Sequence, residues 1–310
     1  MARDSQMRSA LGELVVPMLT CMGERGPDSA GLAIFSDPLE GDLRRYSFYA
    51  ADRAFDWAGF LSQFAADTDA SSEIEAVESH AILISEANPT AVQSWLSERD
   101  LPGRNQPGRN QPGRNQPGRD TVHLLSVGRS IDVYKDEGHP EQIARRYSFS
   151  SLQGTHAVGH TRMATESAVS PAHAHPFTAG EDFCLVHNGS LSNPNSIRRK
   201  LEKRGVRFET DNDTEAACRF LEWRMSEGDT LEQALELAFD ELDGFYTLLM
   251  ATADKLVLVR DAFACKPAVV AETDAYVAIS SEYRALAHLP GVKEARIFEP
   301  VPEQIYSWTI

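Results

Sequence analysis

Three polar blocks in the 310-residue sequence contain side chains that could bind and activate a small substrate. They read RGPDSAG at residues 25–31, GHTRMATES at residues 159–167 with HP at residues 175–176, and HNG at residues 187–189 followed by TDNDTE at residues 210–215. Each block is expected at a strand end or in a turn, where its side chains can reach a cleft. We therefore expect the chemistry of this protein to come from these blocks.

Together the blocks are typical of a site for an α-amino acid with a reacting carbonyl. Arg162 ends a predicted buried strand, and its guanidinium can bind a carboxylate through two hydrogen bonds. Asn188 and Gly189 follow another apolar strand and offer a side-chain amide and an unobstructed backbone N–H, which is the composition of an oxyanion hole. Asp213 precedes a helical pattern, where its carboxylate could cap the helix or bind an ammonium group.

Each of these residues also has a purely structural interpretation. Asp213, with Glu215 shortly after it, could be only a helix N-cap. The Asn188-Gly189 pair suits the type I′ turn of a β-hairpin. Residues 25–28 could be a turn held by an internal Arg–Asp pair. Taken singly, these residues do not decide between binding and structure.

A metal-dependent hydrolase is a further hypothesis, because five of the nine histidines lie within 32 residues of each other. These histidines are His156, His160, His173, His175 and His187. Neither an H-E-x-x-H motif nor a cysteine-containing zinc spacing accompanies them. Histidines near a polar cleft more often hydrogen-bond backbone groups, so we expect no metal.

The apolar pattern predicts the elements that position these blocks. Helices are predicted at residues 9–22, 55–66, 89–99, 195–204, 213–227 and 230–242, with a last helical turn at 281–288. Strands are predicted at residues 31–35, 46–50, 75–85, 122–127, from 157 onward, and at 183–187, 246–252, 255–259, 268–271 and 276–280. This mixture lacks the strict βα alternation of a parallel sheet and indicates strand layers with helices outside. Neither a G-x-G-x-x-G after a strand nor a Walker loop is present, which disfavours nucleotide binding.

Composition places the chain among globular proteins, with 42% hydrophobic and 8% aromatic residues. No stretch approaches the ~20 apolar residues of a membrane span, and the first residues lack the apolar core of a secretory signal. We therefore expect a cytoplasmic protein without a membrane partner. The net charge of −16 disfavours nucleic acid as a partner. The four cysteines form no C-x-x-C pair, so neither disulfides nor a zinc knuckle is predicted.

Residues 102–119 are three copies of PGRNQ followed by PGR, with four arginines and no acidic residue. Proline every fifth residue removes backbone donors, and the adjacent glycine disfavours a regular element. This pattern predicts a disordered surface loop. It is either the product of repeat expansion in a tolerant loop or a basic recognition arm.

In order and spacing, the polar blocks resemble the class II glutamine amidotransferase domains of the N-terminal-nucleophile hydrolase superfamily. RDAFACKP at residues 260–267 and SEYRAL at residues 281–286 resemble the distal half of that domain. The resemblance covers residues 1–310 as a single domain, except for an expected insertion at about residues 51–150. It is greatest to stand-alone glutaminase subunits of the glutamate-synthase-like group.

The resemblance implies an α+β fold, a four-layer αββα sandwich, and hydrolysis of L-glutamine to glutamate and ammonia. Carried over by position, Arg162 would bind the substrate α-carboxylate and Asp213 its α-ammonium group. Thr165 would help to hold the substrate. Asn188 and the N–H of Gly189 would stabilise the oxyanion of the tetrahedral intermediate.

The sequence departs from the family pattern at three points. Met163 stands where many relatives have Trp, and Glu166 stands where some have His. The third departure concerns the nucleophile, which in the family is an N-terminal cysteine whose own α-amine serves as the base. Position 2 of this sequence is Ala, and no Cys-Gly-Ile-like strand precedes the first predicted helix.

Three explanations fit the missing nucleophile. The sequence could begin at an internal methionine, one short strand after the natural start, and this is the explanation we expect. The protein could instead be an inactive glutamine-binding regulatory or scaffold subunit. Processing could also expose Cys21, but that residue lies in a predicted helix, where a small packing role is favoured.

A protein that releases ammonia from glutamine implies a second protein that accepts the ammonia. The resemblance indicates a partner synthase subunit of the flavin and iron–sulfur type. The chain itself contains no cofactor motif, so these cofactors would belong to the partner.

Overall fold

The protein is described by a computed structural model that covers residues 1–98, 122–163 and 170–310. The described residues form eight α-helices: α1 Ser5–Ser9, α2 Leu11–Cys21, α3 Trp57–Thr68, α4 Pro89–Glu98, α5 Pro140–Arg146, α6 Pro194–Glu202, α7 Asp213–Ser226 and α8 Leu231–Glu241. Their strands are β1 Ser29–Phe35, β2 Arg44–Ala50, β3 Ser72–Val77, β4 His80–Ser85, β5 Val122–Gly128, β6 Ile131–Glu137, β7 His156–Arg162, β8 Phe177–Thr178, β9 Cys184–Leu191, β10 Gly244–Thr252, β11 Lys255–Arg260, β12 Val269–Glu272, β13 Val277–Ser280, β14 Arg296–Phe298 and β15 Tyr306–Thr309. Within the described ranges, no helix has the length and apolar character needed to cross a bilayer.

Two antiparallel sheets pack together at the centre of the molecule. The first has the strand order β6-β1-β7, and the second has the order β15-β11-β10-β9-β8. Both contribute to one apolar core, which includes Phe35 and Val158 from the first sheet and Leu258 from the second. A sheet buried on this face needs a cover on its other face.

Helices supply that cover on both sides. Leu32 of β1 shares a core with Ile143 of α5 and Leu19 of α2. On the opposite side, Leu248 of β10 shares a core with Phe220 of α7 and with residues of α6 and α8. The resulting order of layers is αββα, which confirms the predicted fold class.

A third sheet, of order β13-β12-β14, joins the central core through Val270 and Val277. The first residues of the chain pair with its edge. Met1 and Val277 exchange two backbone hydrogen bonds of 2.7 and 2.9 Å, and Ala2 forms an antiparallel bridge with Tyr276. Ala2 N–H also donates to the carbonyl of Thr155 at 2.8 Å. Residues 1 and 2 therefore lie between the start of β13 and the start of β7.

A fourth sheet, of order β3-β4-β2-β5, has its own core beneath α3 and α4. This core is rich in aromatic side chains, among them the fully buried Tyr46, Phe48 and Phe60. Arg45 of β2 holds Asp132 of β6 through two hydrogen bonds of 2.7 and 2.8 Å, which ties this sheet to the central sandwich.

The fourth sheet spans much of the expected insertion at residues 51–150, but β6 and α5 from that range belong to the central layers. The limits of an insertion stay a prediction. The repeat at residues 102–119 lies outside the described residues.

Most predicted elements are confirmed, but the short elements α1 and β8 were not predicted, and larger differences occur in three places. The predicted strand at residues 75–85 is the hairpin β3–β4, because Glu78 adopts a left-handed turn conformation with φ of 49°. The prediction missed β6 and α5, since charged residues in IDVYKDE conceal a buried strand. The last four predicted strands are present as β10 to β13, but the prediction missed the short strands β14 and β15 that follow them.

Candidate active site

Arg162 is the last residue of β7 and lies opposite Ser29 of β1. The turn that precedes β1 packs directly on its backbone. A Cβ on Gly26 would lie 2.5 Å from Arg162 N, and the N–H of Asp28 donates to the Arg162 carbonyl at 3.1 Å. The block at residues 25–31 therefore supports the half-buried arginine.

Arg25 forms an ion pair with Glu282 at 2.9 Å, outside its own turn. Glu282 also pairs with Arg284, which in turn contacts Glu24 at 3.1 Å. These ion pairs join the first polar block to the SEYRAL segment.

Asn188 and Gly189 lie inside β9, opposite Thr247 and Tyr246 of β10. The hairpin-turn interpretation of this pair is therefore wrong. Gly189 has φ of +149°, and a Cβ there would overlap the carbonyl oxygen of Phe245, so only glycine fits. The side-chain amide of Asn188 lies 3.5 Å from the hydroxyl of Ser281.

Asp213 is the first residue of α7, but the N-cap is Asn212, whose side chain accepts the N–H of Thr214 at 2.9 Å. The helix-cap interpretation of Asp213 is therefore wrong. Its Oδ2 instead accepts the N–H of Leu191 at 2.8 Å, and its Oδ1 lies 3.8 Å from Nδ1 of His187. Asp213 is thus fixed against β9, with 26% of its side chain exposed.

Three imidazoles lie together here, those of His175 and His187 buried and that of His160 half-buried. His160 of β7 stacks on His175 with ring centroids 4.2 Å apart. Burial lowers the pKa of His160 to about 4. Burial also lowers the pKa of His175, where the charges of Lys135 and Arg162 act in the same direction. The pKa of His187 is likewise lowered by burial, against the opposing effect of the Asp213 carboxylate.

All three rings are therefore neutral at pH 7. Since Arg162 shares one face of β7 with His160, two residues away, the arginine, the imidazoles and Asp213 belong to one polar neighbourhood.

The remaining predicted site residues are distributed as follows. Thr165 and Glu166 lie outside the described residues, and Met163 is exposed. Cys21 ends α2 and is half-buried. Cys184 and Cys218 are buried, and burial raises the pKa of both thiols. Cys265 is exposed.

The five clustered histidines are divided between separate contacts. His156 stacks on Phe35 and hydrogen-bonds Thr252 at 2.9 Å, whereas His173 contacts Asp211 at 3.2 Å near the surface. Among the described residues, no group of three or more His, Cys, Asp or Glu side chains is arranged to hold a metal ion.

Two residues of the site were not predicted. Thr214 hydrogen-bonds both His175 and His187. The sequence shows this threonine only as a member of TDNDTE. Lys135 of β6 is 4% exposed, and its Nζ lies 5.0 Å from the centre of the Phe177 ring. Burial lowers the pKa of Lys135 to about 8. Nothing in IDVYKDE distinguishes this lysine from one facing solvent.

The chain is similar to several known proteins. A model described as "Glutamine amidotransferase domain" matches residues 160–288. The glutamine amidotransferase-like protein GlxB of Rhizobium meliloti is 42% identical over 307 residues, which cover 99% of this chain and 95% of that protein. This chain belongs to the class II glutamine amidotransferase family. A putative glutamine amidotransferase of Methanothermobacter thermautotrophicus is 30% identical, over 98% of this chain and 96% of that protein.

Two solved structures share the fold of this amidotransferase. The allosteric regulatory enzyme of purine biosynthesis matches with a TM-score of 0.58 and 18% identity, over 96% of this chain and 44% of that one. Glutamine phosphoribosylpyrophosphate amidotransferase from B. subtilis matches with a TM-score of 0.55 and 17% identity, over 96% and 46%. This chain spans less than half of each. The likeness shows the shared αββα fold alone.

Proposed function

We propose that this amidotransferase binds L-glutamine and hydrolyses its side-chain amide to glutamate and ammonia. The observation that carries the proposal is the grouping of Arg162, Asp213, Asn188 and Gly189 around the junction of β7, β9 and α7. A free α-amino acid carries one carboxylate and one ammonium group, and these residues offer one cation and one anion to match. The amide and backbone N–H groups are suited to the carbonyl that reacts.

Each residue has a separate role in this proposal. The guanidinium of Arg162 holds the α-carboxylate, and the carboxylate of Asp213 accepts the α-ammonium group. Thr165 adds a hydroxyl contact. Asn188 Nδ2 and the N–H of Gly189 donate to the oxyanion of the tetrahedral intermediate, where preformed donors stabilise charge most effectively.

The nucleophile in this proposal is a cysteine on a strand that precedes Met1. In the antiparallel register of Ala2 with Tyr276, a strand continuing ahead of Met1 would run along β13 toward Ser281. A residue about four positions ahead would lie opposite Ser281, whose hydroxyl is 3.5 Å from the Asn188 amide. The thiol there would give its proton to its own α-amine and attack the carboxamide carbon. The α-amine would pass that proton to the leaving nitrogen, which departs as ammonia, and water would hydrolyse the resulting thioester.

The upstream cysteine can be tested on protein from its native source. Intact-mass analysis should give a chain longer than this one by about a short strand, with cysteine as its first residue. A mature mass that corresponds to Ala2 as the first residue would contradict this part of the proposal.

A second candidate function is a glutamine-binding subunit without catalysis. The observation that favours it is the state of the thiols: Cys184 and Cys218 are buried with raised pKa values, and Cys21 ends a helix. This function predicts glutamine binding without ammonia release from protein of the native source. Ammonia released in a glutamine-dependent assay would exclude it.

We further propose a cytoplasmic protein that passes ammonia to a docked synthase subunit of the flavin and iron–sulfur type. Ammonia is largely protonated at neutral pH and would otherwise diffuse away. Co-purification of such a subunit from the native source would support this partnership. A solitary monomer with high free glutaminase activity would contradict it.

Glutamine recognition itself can be tested on this chain by isothermal titration calorimetry. Removing one member of a buried charge pair costs about 2–5 kcal/mol, which is roughly a 30-fold or greater loss of affinity. We expect that loss for Arg162→Ala and for Asp213→Asn. Arg199→Ala is the matched control, because Arg199 is exposed on α6 and bonds only to Ser196 among the described residues. Unchanged affinity in both site variants would contradict the proposed roles.

A further inference from the structure

The hydroxyl of Thr214 is a junction between three side chains of the site. Its Oγ1 lies 2.9 Å from His175 Nε2, 3.0 Å from His187 Nδ1 and 3.4 Å from Asp213 Oδ1. Thr214 is 1% exposed, so bulk water does not compete for these contacts. A hydroxyl has one proton to donate and two lone pairs with which to accept. These three neighbours therefore cannot all be acceptors.

The carboxylate of Asp213 determines which ring nitrogen of His187 carries the proton. Its carboxylate accepts hydrogen bonds only, and its Oδ1 lies 3.8 Å from His187 Nδ1. A lone pair on that nitrogen would be repelled by the carboxylate, whereas an N–H is attracted, strongly so in a buried setting. His187 therefore carries its single proton on Nδ1 and donates it to Thr214. The threonine then donates its own proton to His175 or to Asp213.

The other nitrogen of His187 consequently has a free lone pair. Nε2 is buried and has no hydrogen-bond partner among the described residues. It faces Gly189, since a Cβ on that glycine would lie 2.9 Å from it. Burial lowers the pKa of His187 and of His175, and the charges of Lys266 and Lys135 respectively act in the same direction. Both cations thus favour the neutral rings that this arrangement needs.

We propose that Thr214 is a positioning residue that holds His187 in its Nδ1-protonated form and fixes the Asp213 carboxylate for an ammonium ligand. The ligand part of this inference rests on the proposed recognition of glutamine. The part about His187 does not, because it concerns protons within the protein alone.

Two substitutions separate the hydroxyl from the shape of the side chain. Thr214→Val keeps the branched shape and removes the hydroxyl, and Thr214→Ser keeps the hydroxyl. Long-range ¹⁵N–¹H NMR of histidine rings distinguishes the two neutral tautomers. We expect His187 to be protonated on Nδ1 in the unmodified chain and in Thr214→Ser, and to lose this preference in Thr214→Val. Thermal unfolding of both variants checks that the fold is retained.

Calorimetry with L-glutamine supplies the second readout. Because the Thr214 hydroxyl lies 3.4 Å from the Asp213 carboxylate, its removal in Thr214→Val should weaken glutamine binding about tenfold. Thr214→Ser should restore most of the affinity.

The inference is overturned if His187 carries its proton on Nε2 in the unmodified chain, a result that needs no variant to fold. It is also overturned if Thr214→Val leaves both the tautomer and the affinity unchanged. If the unmodified chain fails to bind glutamine, the proposed function fails, while the NMR result still decides the claim about His187.

Discussion

The four-stranded sheet and the candidate site differ in how many of their buried polar side-chain atoms are hydrogen-bonded. In the four-stranded sheet, Arg45 and Asp132 hold each other through two hydrogen bonds, and the hydroxyl of Ser47 accepts both Ser126 Oγ at 2.8 Å and the N–H of Val133 at 2.9 Å. Only one buried side-chain nitrogen on the described strands of this sheet lacks a partner, namely Nδ1 of His80.

At the candidate site, by contrast, several buried ring nitrogens lack a hydrogen-bond partner within the ranges that the structure describes. His160 Nδ1, His175 Nδ1 and His187 Nε2 are all buried without a hydrogen-bond partner among the described residues. Native proteins rarely leave such groups unpaired in regions that serve packing alone. The two regions therefore differ in how fully their buried side-chain nitrogens are paired within the described part of the chain.

The substitution with the largest expected effect on stability tests whether the four-stranded sheet and the candidate site are independent of each other. Phe60 is 1% exposed and packs against the rings of Phe48, Trp57 and Trp95. Phe60→Ala should lower the free energy of unfolding of the four-stranded sheet by about 3–5 kcal/mol, measured by urea denaturation. Glutamine affinity measured on the folded variant should stay unchanged. A matching loss of affinity would show that the sheet and the site are not separate in function.

A backbone substitution tests the site end. Gly189→Ala would overlap the Phe245 carbonyl at a left-handed φ, which should cost about 2–4 kcal/mol of stability and disturb glutamine binding. Gly205→Ala is the control, because Gly205 also has positive φ but no atom lies within 4 Å of the added Cβ. It should cost about 1 kcal/mol. Equal effects of the two substitutions would contradict the tight fit described for Gly189.

The pH dependence of stability compares one histidine from each region. Burial lowers the pKa of His80 and of His160 to about 4. Between about pH 6.5 and pH 4 the unfolded chain binds a proton that the folded ring does not, so stability falls as the pH falls. The slope is about 1.4 kcal/mol per pH unit for each such histidine.

The free energy of unfolding, measured by denaturation at several pH values in this range, should therefore fall less steeply with falling pH in His80→Gln and in His160→Gln. In each variant the slope should decrease by the equivalent of one proton. Only His160→Gln should also weaken glutamine binding. An unchanged slope in both variants would show that these rings are not held neutral by the fold.

Residue type and strand position were enough to predict part of the site. Arg162 and Asn188 could be located because apolar runs precede them, and Asp213 because a helical pattern follows it. Only the three-dimensional structure could decide whether the purely structural alternatives for these residues are right. Whether Asn188 lies in a turn depends on its pairing with β10, and whether Asp213 caps α7 depends on the competing side chain of Asn212.

Other features of the structure could not be predicted from the local sequence pattern. Strand β6 was missed because Asp132, Lys135 and Asp136 are charged, yet all three are buried by contacts with distant segments. The link from Thr214 to His175 joins residues 39 positions apart and exists only after the sheets pack. Local pattern predicts which residues can do chemistry, whereas tertiary packing determines which of them are coupled.

The most direct test of the central claim is calorimetric titration of the unmodified chain with L-glutamine, beside L-norleucine, which has the same α-amino acid group without the amide. The account predicts one glutamine bound per chain, weaker binding of norleucine, and loss of glutamine binding in Arg162→Ala but not in Arg199→Ala. A folded chain that binds neither amino acid, or that binds glutamine equally well without the Arg162 guanidinium, would contradict it.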